Sequence, residues 1–176
     1  MQKPIYAKVI IIGDGGVGKS TMLCRYREDK FNPNTEMTYG VDIFMKKIEM
    51  DEYKIMLQIW DFGGQDQFQF LHESRILGIK GAILMFDLSR IATLNRIDEW
   101  VSLCRKFDTK LPILFVGSKS DLAQSTIVYN DLIKELMERF DLFDYIEISA
   151  RNGTNIPLVF KKLIEKIIEN SRKIKN

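Results

Sequence analysis

Val9-Ile10-Ile11-Ile12-Gly13-Asp14-Gly15-Gly16-Val17-Gly18-Lys19-Ser20 decides the fold of this chain. Four apolar residues run into a glycine-rich turn, and a segment with helical periodicity follows from Lys19 to about Glu28. Residues 13–20 fit G-x-x-x-x-G-K-[ST], in which glycines let backbone N–H groups wrap a phosphate chain at a helix N-terminus. The lysine, Lys19, then reaches the β- and γ-phosphates, and the Ser20 hydroxyl reaches Mg²⁺. Gly13, Asp14, Gly15, Gly16, Val17, Gly18, Lys19, Ser20 and Thr21 are therefore the candidate phosphate-binding residues. A plain strand-to-helix turn would need the glycines but not the Lys-Ser pair. The motif points to a nucleoside phosphate.

The bulk properties bound the rest. A chain of 176 residues holds one well-cored domain, taken as 1–176. Its 45% hydrophobic and 28% charged residues are ordinary for a globular protein. A formal charge of +2 gives no argument for nucleic acid. Cys24 and Cys104 lie among helical residues without a CxxC or Cys/His cluster, so two buried thiols in a reducing, cytoplasmic compartment are expected. The single histidine, His72, excludes a multi-histidine metal site and reads as a surface residue. No apolar run is long enough to span a membrane. With no Gly at position 2 and no C-terminal cysteine, no lipid anchor is expected. That leaves a cytosolic protein, or one whose membrane link comes from a partner or a removed tail.

Strand-like runs alternate with helix-period segments from end to end, the α/β signature. Strands are expected at about 6–13, 41–49, 53–60, 82–86, 113–116 and 143–148, the second and third as an antiparallel hairpin turning at Met50-Asp51-Glu52. Helices are expected at 19–28, within 61–78, at 92–107, at 129–140, and from Ile156-Pro157 onward. The polar stretch 29–39 reads as a long functional loop. Lysines and arginines on the final helix read as a solvated face, with a weak acidic-membrane patch as the alternative.

Further segments sit where ligands bind in open α/β sheets, at the ends of strands on the edge carrying the phosphate loop. Asp61 follows the strand ending at Trp60 and can hold Mg²⁺, usually through water. Gly64 lets a backbone N–H approach the γ-phosphate, and Gln65 has the donor and acceptor needed to orient an attacking water. Thr38 offers a hydroxyl to Mg²⁺ and an N–H to the γ-phosphate. In Ser118-Lys119-Ser120-Asp121, the aspartate can accept from the N1–H and exocyclic amine of guanine, a donor pair that adenine lacks. Ser149-Ala150-Arg151 can add backbone N–H groups to the guanine carbonyl.

Together these residues resemble the Ras superfamily of small GTPases over nearly the whole chain. The resemblance implies a P-loop NTPase, a three-layer small G-protein domain with a six-stranded, mostly parallel sheet and about five helices. It implies Mg²⁺-dependent hydrolysis of GTP to GDP at a slow intrinsic rate, and a monomer whose switch loops meet effector, activating and exchange proteins. Lys19, Ser20, Thr38, Asp61, Gly64 and Gln65 take the phosphate, metal and catalytic roles. Phe31 packs against the guanine, and Ser118, Lys119, Asp121, Ser149, Ala150 and Arg151 cradle it. Thr38-Tyr39-Gly40-Val41-Asp42, Leu57-Gln58-Ile59-Trp60 and Val116 to Asp121 look most like Rab proteins. Asp61-Phe62-Gly63-Gly64-Gln65 is closer to the Arf and Roco patterns.

Three departures stand out. Ser118 occupies the place of a usual asparagine, so its contact with guanine and the phosphate loop should weaken; Rho-type members also carry a hydroxyl there. Arg151 replaces a common lysine, and Thr35 and Met37 replace an aromatic and a proline in the first switch. No arginine among the motifs stands as an internal finger, so a partner's arginine would speed hydrolysis, with Gly15 leaving room for it. The competing readings are a guanine-nucleotide scaffold with negligible hydrolysis and an ATP-using enzyme. Gln65 and Thr38 count against the first, Asp121 against the second.

Overall fold

Residues 9–12 do not alternate between apolar and polar because both faces of their strand are buried, as in a sheet covered by helices on each side. The computed structural model describes residues 3–32, 40–62, 77–106, 108–122 and 129–173. They form strands β1 (Lys3–Ile12), β2 (Val41–Met50), β3 (Tyr53–Phe62), β4 (Ile79–Asp87), β5 (Ile113–Ser118) and β6 (Asp144–Glu147). The helices are α1 (Lys19–Glu28), α2 (Ile97–Arg105), α3 (Asn130–Arg139) and α4 (Ile156–Lys173). One six-stranded sheet has the order β2-β3-β1-β4-β5-β6. Every neighbouring pair is parallel except the β2–β3 hairpin, whose turn holds Asp51 at φ 52°.

Alternate residues of β1 feed two cores. Val9 and Ile11 share one with Met22 and Leu23 of α1 and with Val159, Phe160, Leu163, Ile164 and Ile167 of α4. Ile10 and Ile12 share the other with Ile97, Trp100, Val101 and Cys104 of α2 and with Ile133 and Leu136 of α3. This is the three-layer α/β arrangement expected from the sequence. Each fully buried isoleucine contributes roughly 1.5–3 kcal/mol, so the two cores together hold the sheet edge rigid.

Three expectations change in detail. The helix expected over 92–107 begins as a tight 3₁₀ turn at Ile91–Leu94 and becomes α-helical only at Ile97–Arg105. Thr93 is the reason: its hydroxyl accepts the Asp87 N–H at 3.0 Å and donates to the Arg90 carbonyl at 2.8 Å, drawing the chain back against β4. Cys104 is buried, but Cys24 is only half-buried; both are free thiols. Four α-helices and the 3₁₀ turn are present among the described residues, and the short helix expected within 61–78 falls largely outside them. His72 lies outside them as well. No described helix is long and apolar enough to cross a membrane. The basic residues of α4 carry acidic partners: Lys162–Asp144 at 3.0 Å, Lys166–Glu169 at 2.9 Å and Lys173–Glu169 at 2.6 Å, which favours the solvated-face reading.

Candidate nucleotide site

The C-terminal ends of β1, β3, β4, β5 and β6 meet on one edge, and the phosphate loop leaves from the middle of it. Gly13 makes that exit possible. It has φ +136°, and a Cβ there would lie 2.1 Å from the Met85 carbonyl oxygen of the neighbouring strand. Gly18 caps α1 in the left-handed region at φ 96° with no side-chain cap, so the helix starts directly from the glycine-rich loop, an arrangement suited to an anion at a helix N-terminus. Trp100, buried in α2, steadies the loop by donating its indole N–H to Asp14 Oδ1 at 3.1 Å.

Lys19 folds back over the loop. Its Nζ donates to the Gly13 carbonyl at 2.8 Å and the Asp14 carbonyl at 2.9 Å. Burial pulls this ammonium down to about 8, against the opposing pull of the Asp61 and Asp14 carboxylates. Pairing of β1 with β3 puts Ile11 opposite Asp61, which carries that carboxylate to the loop. Asp61 is 1% exposed. Ser20 Oγ donates to its Oδ2 at 2.5 Å, while Oδ1 is buried with no hydrogen-bond partner among the described residues. Burial pushes the carboxyl up to about 6, although the Ser20 hydrogen bond and the Lys19 charge hold it down. An orphaned carboxylate oxygen beside a serine hydroxyl and a desolvated ammonium fits a divalent cation and phosphate: each would supply the charge the other lacks.

Beyond the loop lies an open cavity of about 380 Å³. Gly16, Val17, Gly18, Thr21, Phe31, Ser118, Lys119, Asp121, Ala150 and Arg151 line it, so the fold brings these sequence-distant residues to one cavity. Ser149 closes the back by donating to Asp121 Oδ1 at 2.7 Å. Lys119 adopts a left-handed backbone at φ 58° and pairs with Asp87 Oδ2 at 2.8 Å. Ser118, the short replacement, still reaches the phosphate loop: its hydroxyl lies 2.6 Å from the Val17 carbonyl and 2.8 Å from that of Phe86. The single proton serves one at a time. Thr35, Met37, Thr38, Gly64 and Gln65 lie outside the described residues.

A profile of the Ras family matches residues 8–169. The chain belongs to the Ras family. It is 37% identical over 164 residues to Ras-related protein Rab-18 of Lymnaea stagnalis, covering 92% of this chain and 80% of that protein. Ras-related protein Rab-11A of Dictyostelium discoideum is 34% identical over 91% of the chain and 75% of its own length. Ras-related protein RABA5c of Arabidopsis thaliana is 35% identical over 94% of the chain and 78% of its own length. The protein is thus a Rab-like small GTPase, a guanine-nucleotide switch, and a non-hydrolysing scaffold is not favoured.

The structure of this GTPase adds residues that the motifs miss. Asp87 ends β4 fully buried, and Arg90 reaches from it to the phosphate loop. Asp87 had a visible signal, a carboxylate directly after the apolar run Ala82–Phe86, the same signal that marks Asp61. Arg90 and Trp100 had none.

A second surface flanks the site. Residues 43 and 45 of β2 pair with 60 and 58 of β3, so Ile43, Met45 and Trp60 share one sheet face. Ile43 and Met45 are 45% and 57% exposed, and Lys8 lies over the Trp60 ring at 4.1 Å.

Proposed function

We propose that residues 1–176 act as one domain, a monomeric Mg²⁺-dependent GTP switch read out by effector proteins. The observation that carries this reading is the Asp61 oxygen without a partner among the described residues, beside Ser20 and Lys19 at one end of the loop whose other side lines the cavity. Lys19 and the loop N–H groups of residues 13–18 would bind the β- and γ-phosphates and stabilise charge developing between them. Ser20, Thr38 and, through water, Asp61 would hold Mg²⁺, which when bound offsets the phosphate charge. Gln65 would orient the attacking water, with the Gly64 N–H on the γ-phosphate.

Base selection follows from the other end. Asp121, oriented by Ser149, accepts from guanine N1–H and its amine, and Ala150 and Arg151 supply backbone N–H groups to the carbonyl. Phe31 packs on the ring. Adenine would leave the Asp121 carboxylate without its donors and is rejected.

Loss of the γ-phosphate frees Thr38 and Gly64, and the loops that carry them reorder. The face carrying exposed Ile43 and Met45 and half-buried Trp60 belongs to the two strands that adjoin those loops in sequence, and it supports effector docking there. Intrinsic hydrolysis is slow, because Arg90 is already engaged by Asp87 and by loop carbonyls. An arginine from an activating protein would accelerate it on the order of 10³–10⁵-fold. The two free thiols support a reducing compartment, the cytoplasm.

Single-turnover hydrolysis of GTP and ATP, with Mg²⁺ and with EDTA, tests this in wild type and Gln65→Leu. Slow GDP production that needs Mg²⁺, is absent with ATP and is lost in Gln65→Leu is the expected result. Tight GTP binding without turnover would favour the scaffold; ATP turnover would overturn the role of Asp121.

A further inference from the structure

Four donors converge on one buried carboxylate behind the nucleotide site. Asp87 Oδ1 accepts from the Ser89 N–H at 2.9 Å and the Ser89 hydroxyl at 2.6 Å. Its Oδ2 accepts from Arg90 Nε at 2.9 Å and Lys119 Nζ at 2.8 Å. Arg90 is then fixed at one nitrogen and extends another: Nη2 donates to the Gly16 carbonyl at 3.0 Å and lies 3.4 Å from that of Gly15. The guanidinium fork allows one side chain to serve a carboxylate and a carbonyl together, which an ammonium cannot do.

The contact lies outside the cavity, since Arg90 does not line it. Its effect on the inside follows from peptide geometry. In a planar trans peptide the C=O of one residue and the N–H of the next point in opposite directions. Holding the carbonyls of Gly15 and Gly16 toward Arg90 therefore turns the N–H groups of Gly16 and Val17 away from it. Gly16 is built for this approach: its φ is +71°, and a Cβ there would meet Arg90 Nη2 at 3.3 Å. A loop with glycine at 13, 15, 16 and 18 loses much backbone freedom when it orders, so an external clamp lowers what the ligand must offset.

We propose that Arg90 is a positioning residue for nucleotide binding. It pre-sets the phosphate loop from outside and, through the Asp87 carboxylate it shares with Lys119, joins that loop to the base-recognition loop. This rests on the nucleotide site described above.

The test is release of a fluorescent GDP analogue by stopped flow in Mg²⁺, together with amide hydrogen exchange on the ligand-free protein. Wild type, Arg90→Ala and Arg90→Lys are compared. Arg90→Ala should release GDP about tenfold faster, the scale of one charge-assisted hydrogen bond. Arg90→Lys keeps a cation for Asp87 and so protects folding, yet should also release faster, because one ammonium cannot span both partners. In both variants exchange should rise at residues 13–18 while β4 and α2 keep their protection. Wild-type release rates in both variants would overturn the proposal, and so would exchange rising equally across β4 and α2. Failure of wild type to bind the GDP analogue at all would instead bring down the site reading, and this proposal with it.

Discussion

Asp61 and Asp87 are both buried carboxylates near the ends of parallel-sheet strands beside the phosphate loop, yet the chain treats them in opposite ways. Asp87 receives donors from Ser89, Arg90 and Lys119. Burial pushes its carboxyl up, but those hydrogen bonds outweigh burial and hold it below the usual carboxylate range. Asp61 receives the Ser20 hydroxyl, its Oδ1 has no partner among the described residues, and burial lifts it to about 6. One aspartate is finished by the fold. The other is left for a ligand to finish, and folding carries that cost because binding recovers it.

Removing each carboxylate breaks the comparison most directly. Asp87→Ala strands Lys119 and Arg90 without their shared anion and should cost about 2–3 kcal/mol in urea unfolding of the ligand-free protein; both cations are partly exposed, which keeps the loss below that of a fully buried pair. Asp61→Asn removes a poorly solvated charge, so the ligand-free protein should unfold at equal or higher urea. Its Mg²⁺-dependent retention of GDP should fall by more than tenfold. A stability loss in Asp61→Asn as large as that in Asp87→Ala would erase the distinction between the two sites.

Proton linkage gives a second, smaller contrast. Asp61 is raised from 3.8 to about 6, so between those values the folded protein binds more protons than the unfolded chain. Its contribution to stability must therefore fall as pH rises from about 4 to 6. Asp87 is lowered, so its contribution is present above 3.8 and is lost as pH falls through its folded value. Lys19, lowered from 10.5 to about 8, makes stability rise between 8 and 10.5. Below about 6 a metal must displace the Asp61 proton, so apparent Mg²⁺ affinity, read from GDP release at stepped pH, should weaken up to about tenfold per unit. A flat Mg²⁺ profile between pH 5 and 7 would mean that Asp61 is already ionised and partnered.

The same pair shows why the sequence discloses one half of the site better than the other. The phosphate loop is local: an apolar strand, glycines and Lys19-Ser20 lie within a dozen residues, and no tertiary contact is needed to read them. The sheet and its hairpin follow from runs whose residues are apolar on both faces, as in β4 and β5, or joined by a tight turn, as in β2 and β3. Arg90 and Trp100 are illegible because their partners, Gly15 and Asp14, lie 75 and 86 residues away. Only the adjacency of β1 and β4 brings them together. The 3₁₀ turn at Ile91–Leu94 is hidden for a related reason, since Thr93 reads as helical until Asp87 is placed against it. Ser118 reads as a loss of contact because residue type says less than position: as the last residue of β5 it sits close enough for a short hydroxyl to reach Val17.

The finest test compares the two serines that serve the two carboxylates. Ser89→Ala removes one hydroxyl donor from Asp87 and leaves the Ser89 N–H, Arg90 and Lys119 in place. It should cost about 0.5–1 kcal/mol in urea unfolding, with little change in the acid limb of the stability curve. Ser20→Ala takes from Asp61 the hydroxyl that holds its Oδ2, so the carboxyl must move further up and the pH range over which stability declines must widen upward from 6. The unfolding free energies of the two variants at neutral pH can be similar. Their pH profiles cannot be, because a carboxylate with donors to spare and one with none to spare respond differently to the same deletion. Matching profiles would show that Asp61 has partners beyond Ser20, and that its orphaned oxygen is not what prepares the site for a cation.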